Sequence, residues 1–270
     1  MIRIDLDRPE GVRWVPEHET GDGVLVVAGS SGRVDADRAR LFADLGCLAE
    51  SIRWFGGPGQ HPGPWEIPLE TFIERVEDLK RSCDRVHIVG LSFGAEAALL
   101  CGAHSDRIAS VIAFAPTDVV WAGYNQERET SHWTLGGRSL PYVPMDWSDH
   151  RAEPIPRFRP LYEQSRVTFA DRVPAARIPV ERIKQLILVA GGDDQVWPSV
   201  DHAHRIEAAR TAAGLSTLVI TSPDAGHRPI LPGEAEVAAG AAMQRGGNPD
   251  ADRRLGEQAW RVITGIFGSE

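Results

Sequence analysis

Lysine is almost missing from this chain: Lys80 and Lys184 are the only two among 29 basic residues. Basic residues are also outnumbered, and the formal net charge of −9 gives no electrostatic reason to bind nucleic acid or an anionic membrane. Cysteine is scarce. Cys47, Cys83 and Cys101 are an odd number without metal-like spacing, which excludes a disulfide framework and reads as buried free thiols in a reducing compartment. No stretch approaches the roughly 18 consecutive apolar residues of a membrane span. Met1 to Asp7 holds no apolar h-region, so no secretory signal is expected and the protein reads as cytoplasmic. H-E-x-x-H, a cysteine quartet and G-x-x-x-x-G-K-[ST] are all absent, so metal and nucleotide chemistry have no anchor and no cofactor is expected. There are no internal repeats and no low-complexity linker.

What is present is ordinary globular material, 42% hydrophobic and 25% charged over 270 residues, enough for one large domain. Short apolar runs alternate with amphipathic stretches. Strands are expected at Val24–Ala28, Leu48–Trp54, Val86–Val89, Ile108–Ala115, Gln185–Ala190 and Ser216–Thr221. Helices are expected at Asp35–Gly46, Pro68–Arg81, the stretch after residue 94, Ser199–Ala213 and Asp250–Phe267. Strands separated by helices of this length imply a mostly parallel sheet covered on both faces. Ile2–Leu6 and Val12–Val15 read as an antiparallel edge hairpin. Residues 117–180 break the rhythm with seven prolines and many aromatics, and read as a cap inserted over the sheet's C-terminal edge. The reading is one domain, 1–270, with 117–180 as its cap.

Gly90-Leu91-Ser92-Phe93-Gly94 follows the run Val86–Val89 and leads into a helix-forming stretch. A serine between glycines at a strand-to-helix turn is the nucleophile elbow of α/β-hydrolases. The glycines let strand and helix approach each other around a serine held in a strained turn. A serine hydroxyl needs a base, and the base an orienting acid, in the chain order Ser, Asp or Glu, His. Two aspartates follow the Gln185–Ala190 strand. Asp194 fits a loop of the form G-x-x-D with proline four residues on, at Pro198, whereas Asp193 would face solvent or cap the turn. His227, after Gly226 in the loop beyond the next strand, is the candidate base. Among the other histidines, His87 reads as buried structure, and His202 and His204 point in different directions on one helix. The oxyanion hole needs two amides. Phe93 supplies one; Ser30 in Gly29-Ser30-Ser31-Gly32 is the candidate for the other, with Ser31 as fallback.

These segments resemble the catalytic domain of the acyl-CoA thioesterase and bile acid-CoA:amino acid N-acyltransferase family. The resemblance rests on Gly29–Gly32 with the helix from Asp37 to Gly46, on Gly90–Glu96 as G-x-S/C-x-G-x-E, and on Ile178–Ile183 as I-P-V-E-x-I. It rests further on Gly191–Trp197 as G-x-D-D-x-x-W, on Gly226-His227, and on Gly246-Gly247 with Trp260. It implies an α/β-hydrolase fold and attack on an acyl thioester of the acyl-CoA kind. Animal-type members carry an N-terminal β-sandwich, whereas only about 20 residues precede the first core strand here. The N-acyltransferase branch uses cysteine where this chain has Ser92.

The expected chemistry is therefore cleavage of a small-molecule acyl ester or thioester through Ser92, Asp194 and His227 and an acyl-enzyme. Ser31, Trp54, Glu96 and Trp197 are candidates for the substrate pocket. A carboxylesterase, lactonase, peptidase or acyltransferase on the same scaffold is the alternative, and a catalytically silent binding protein of this fold the non-enzyme one.

Overall fold

A computed structural model of the chain describes residues 1–126, 128–151, 153–235 and 243–267. Eight strands form one sheet: β1 (Ile2–Asp7), β2 (Glu10–Val15), β3 (Asp22–Val27), β4 (Leu48–Ile52), β5 (Arg85–Leu91), β6 (Ile108–Phe114), β7 (Gln185–Gly191) and β8 (Leu218–Ser222). Their order is β1-β2-β4-β3-β5-β6-β7-β8. The expected hairpin is the antiparallel edge, β1 on β2 and β2 on β4, and every pair from β4 to β8 is parallel. Parallel strands need crossover connections: α1 (Ala36–Asp44), α2 (Glu70–Lys80), α3 (Phe93–His104) and α6 (Ser199–Ala212) lie between successive strands, and α7 (Pro249–Phe267) follows β8. This is an α/β-hydrolase fold.

The strand alternation decides which helices cover which face. Leu25, Val27, Ile88, Val111 and Leu188 pack against Phe72 and Val76 of α2, Leu99 of α3 and Ile206 of α6. Val24, Val26, Val89, Ile112 and Ile187 point the other way, against Phe42 of α1 and Leu255, Ala259 and Ile263 of α7. The α3 helix is buried from Gly94 to Ala103, so it has no solvent-facing side, and apart from Glu96 its buried residues are apolar or glycine. Cys47, Cys83 and Cys101 are free and buried, and burial pushes the Cys47 thiol up to about 12 and that of Cys83 to about 11.

Three boundaries differ from expectation for local reasons. The β4 strand stops at Ile52 because Trp54 leaves the ladder to donate its backbone N–H to Gly32 O and its Nε1 to Ala28 O. The α2 helix starts at Glu70 because Ile67–Pro68 pairs in parallel with Trp133–Thr134. The β8 strand starts at Leu218 because the Arg210 guanidinium takes Ser216 O and Thr217 Oγ1.

Residues 117–180 carry their own small elements. Ala122–Asn125 pairs with Arg128–Ser131, Trp133–Leu135 pairs with Arg138–Ser139, and α4 (Arg159–Thr168) and α5 (Val173–Ala176) follow. Two buried carboxylates fasten this segment to the sheet's helices. Glu96 of α3 accepts the Trp121 amide at 3.0 Å. Asp118 sits between Arg166 of α4, at 2.8 Å, and His202 and Arg205 of α6.

Asp118 and His202 set an expected acid sensitivity. Hydrogen bonding from His202 and the charges of Arg166 and Arg205 outweigh burial and hold the Asp118 carboxyl well below its ordinary range. Burial outweighs Asp118 in lowering the His202 imidazole, which stays neutral. Both groups bind protons more readily when unfolded, so stability is complete above about pH 6.5 and falls as pH drops. The fall is first through His202, then more steeply below about pH 4 through Asp118. Asp118→Asn is expected to cost about 3 kcal/mol at pH 7, toward the low end for a buried pair because Arg205 is partly solvated. Denaturant unfolding at several pH values checks this: the gap between the proteins should begin to narrow only below about pH 4 and go on narrowing as the pH falls further toward the lowered native range of Asp118, and a pH-independent gap would contradict the assignment.

Candidate active site

Ser92 stands between the last residue of β5 and the first of α3, with φ +58 and ψ −122. A side chain in that region costs on the order of 1–3 kcal/mol and persists only where the surroundings enforce it. Here the enforcement is steric. A Cβ on Gly90 would lie 2.0 Å from Gly94 O, and one on Gly94 would lie 2.3 Å from Val27 O. Only hydrogen fits at either position, so strand and helix close around the serine. Ser92 is 7% exposed and donates its amide to Phe114 O at the tip of β6.

The acid and base loops leave β7 and β8 at the same sheet edge. Asp194 is fully buried, and its Oδ1 accepts the Val196 and Trp197 amides at 2.8 and 3.2 Å. Its Oδ2 lies 2.8 Å from His227 Nδ1, which sets that nitrogen as the donor and leaves Nε2 without its proton in the neutral ring. Asp193, by contrast, is exposed and accepts the Gly247 amide and the Gln195 side chain. The two loops are tied to the turn before α7. His227 N and Gln195 N both donate to Arg245 O, and Gly226 N donates to Asp252. Gly246, at φ +68, runs so close to Asp193 O that a Cβ would meet it at 1.6 Å, which explains the Gly246-Gly247 pair.

Ser92 and His227 line one cavity of about 330 Å³, together with Gly29, Ser30, Ser31 and Phe93. Phe93 opens α3, where its amide has no carbonyl one turn back to take it. Ser30 is exposed in the turn closed by Gly32 N donating to Gly29 O, and its amide has no protein acceptor among the described residues. Gly29 packs against Ser92; a Cβ there would lie 3.1 Å from the serine's Cβ. Across the cavity Tyr124, Met145, Trp147, Phe158, Leu161 and Tyr162 of the 117–180 segment form an apolar wall. Tyr124 is fixed in it by donating to Glu129 and accepting from Trp147 Nε1.

Three residues expected in the pocket lie behind it instead. Trp54 is core, packed on Phe72 and Trp133. Trp197 is fully buried, donates to Ala115 O, and supports His227 edge-on at 5.7 Å between centroids. Glu96 is fully buried beneath the cavity. None of the three is among the lining residues. In their place the cavity holds groups that were not singled out: His132, tilted on Phe93 at 4.0 Å, and the arginines Arg33 and Arg228. His132 Nδ1 approaches Glu96 Oε2 at 3.5 Å. Nothing in its local sequence distinguishes His132 from the loop histidines, whereas Arg228 directly follows His227.

The family model described as BAAT / acyl-CoA thioester hydrolase C terminal matches residues 69–269. No curated protein sequence matches the chain. Among solved structures, a candidate dienelactone hydrolase from Klebsiella pneumoniae is similar over 97% of this chain and 94% of its own, at TM-score 0.56 and 13% identity. A candidate α/β-hydrolase of unknown function from Agrobacterium tumefaciens gives 99% and 97% coverage, TM-score 0.53 and 13% identity. An acylaminoacyl peptidase from Pyrococcus horikoshii covers 98% of this chain with 40% of its own length, at TM-score 0.51 and 15% identity. At these identities the likeness is one of fold. Among the described residues no helix is long and apolar enough to cross a membrane.

Proposed function

The chain belongs to the BAAT / acyl-CoA thioester hydrolase C-terminal family of α/β-hydrolase enzymes, and from that premise we propose that it cleaves acyl thioesters, with Ser92 as nucleophile, His227 as base and Asp194 as orienting acid. The observation that carries this reading is Ser92, strained at φ +58, sharing a cavity with a histidine whose far nitrogen is bound by a buried carboxylate.

Ser92 Oγ attacks the acyl carbonyl and passes its proton to His227 Nε2. Asp194 balances the imidazolium across the 2.8 Å contact. The Phe93 and Ser30 amides receive the charge that develops on the carbonyl oxygen, and such a donor is worth about 3–4 kcal/mol in the transition state. His227 then protonates the leaving thiolate or alkoxide, and the acyl group stays on Ser92 until water, activated by the same imidazole, releases it. Residues 117–180 act as the cap of a single domain, and their aromatic wall takes the acyl chain. Glu96, which accepts the Trp121 amide, is a residue that positions that cap.

A fluorophosphonate probe tests the reading. It is expected to label Ser92 in the native protein and to be blocked by prior acylation; no adduct at Ser92 would sink it. Turnover of matched thioesters and oxygen esters then decides the leaving group, and cleavage of oxygen esters alone would remove the thioesterase assignment.

A further inference from the structure

Three guanidiniums and two carboxylates meet where the His227 loop passes the start of α1. Arg38 and Glu234 are both nearly sealed from solvent and form a two-bond pair at 2.7 and 2.8 Å. Arg38 also donates to Pro229 O, and Glu234 also accepts the Leu231 amide. Arg33 lies 3.3 Å from Asp35. Those contacts use both carboxylates. Arg228 is the surplus cation: it stands 3.9 Å from Asp35 and 3.9 Å from Glu234, and its guanidinium makes no hydrogen bond to protein among the described residues.

A guanidinium has five N–H donors in a fixed fork, and leaving them unmade in a buried place is costly. The Arg228 side chain is 10% exposed, with Nη2 sealed off, and the residue lines the cavity that holds Ser92 and His227. Burial, and repulsion from Arg38, push it down to about 10, so the fold holds this charge against its preference. Arg33 lines the same cavity. A guanidinium without a hydrogen-bonding partner, on a residue lining the same cavity as Ser92, has the chemistry to bind a carboxylate or phosphate.

We propose that Arg228, assisted by Arg33, is an anion subsite of the acyl-ester cavity, and that the natural substrate carries a carboxylate or phosphate bound there while its ester carbonyl lies at Ser92. The proposal rests on the serine-hydrolase reading above. The anion resides either in the acyl group, as in a dicarboxylic half-ester, or in the leaving group, as in a phosphorylated thiol. The aromatic wall opposite holds the uncharged part of the same molecule.

Two matched pairs separate these sources. One is mono-4-nitrophenyl glutarate against 4-nitrophenyl pentanoate; the other is acetyl-pantetheine with and without its 4′-phosphate. In one pair kcat/KM of the wild type is expected to favour the anion by on the order of 10–100-fold. That ratio should fall toward one in Arg228→Met and recover in part in Arg228→Lys, which keeps the charge and loses the fork. A merely structural arginine would lower both members of a pair equally and leave the ratio alone. Should Arg228→Met fail to fold, the ratio in Arg228→Lys decides. If neither pair shows a preference while Ser92 is labelled by the fluorophosphonate, the subsite is overturned and the hydrolase reading stands. If Arg228→Met keeps the preference, the assignment to Arg228 is overturned. If Ser92 is not labelled and nothing turns over, the hydrolase reading fails; calorimetry with monomethyl glutarate and inorganic phosphate then decides the subsite. Binding lost in Arg228→Met supports it, and binding absent or unchanged overturns it.

Discussion

Ser92→Ala is expected to lower kcat by on the order of 10⁴–10⁶-fold while the protein melts within a few degrees of the wild type. The size follows from the way a nucleophile and its base act as a unit: removing either alone abolishes nearly all covalent catalysis and leaves only what oxyanion donors and binding provide. Stability should barely move because the hydroxyl supports no hydrogen bond to another protein group among the described residues. The strain at φ +58 is common to both residues, and the elbow is enforced by Gly90 and Gly94. Single-turnover assays with an activated ester, beside a thermal melt, read both quantities. Activity within tenfold of wild type in a folded variant would mean that another group attacks. Collapse of the melt would mean instead that Ser92 holds the turn, and the activity loss would then carry no information about chemistry.

The fold was legible because its signals are local. Apolar runs of strand length between helical stretches require a covered parallel sheet. The elbow, the Asp194 loop and the His227 loop were visible because each is a turn with restrictive chemistry, glycine or aspartate at a strand end. What was not legible depends on distant neighbours. Trp54 and Trp197 are the same residue type as the pocket-lining Trp147, and only packing separates them: one donates to Ala28 O, one to Ala115 O, and Trp147 donates to Tyr124 within the cavity wall. Glu96 at the fourth position of the elbow helix suggested a polar contact near the site, but the contact is with the Trp121 backbone. The cationic cluster joins Arg33, Arg38 and Arg228, which lie almost 200 residues apart in sequence, and its surplus charge appears only when the carboxylate partners are counted in space. Even the strand ends moved for nonlocal reasons, as with Trp54 leaving β4.

The two adjacent aspartates offer the sharpest separation of chemistry from architecture. Asp194→Asn is expected to lower kcat by about 10⁴-fold, the loss typical of a triad acid. The side-chain oxygen of the asparagine can still accept the Val196 and Trp197 amides, as Oδ1 does at 2.8 and 3.2 Å. That orientation turns its NH₂ toward His227 Nδ1. A donor there forces the imidazole proton onto the other nitrogen, the one required to take the proton of Ser92, and it leaves the imidazolium of the transition state without a counter-charge. The substrate cavity is untouched, because Asp194 does not line it. KM should therefore change little and the loss should sit in kcat. Asp193→Asn should cost less than about tenfold, because its carboxylate is exposed and accepts the Gly247 amide and the Gln195 side chain rather than holding His227. Steady-state kinetics on the two variants give the answer directly. Equal losses would mean that the turn between β7 and α6 matters more than the charge at His227. A larger loss in Asp193→Asn would move the acid to the neighbouring position and with it the orientation of the imidazole.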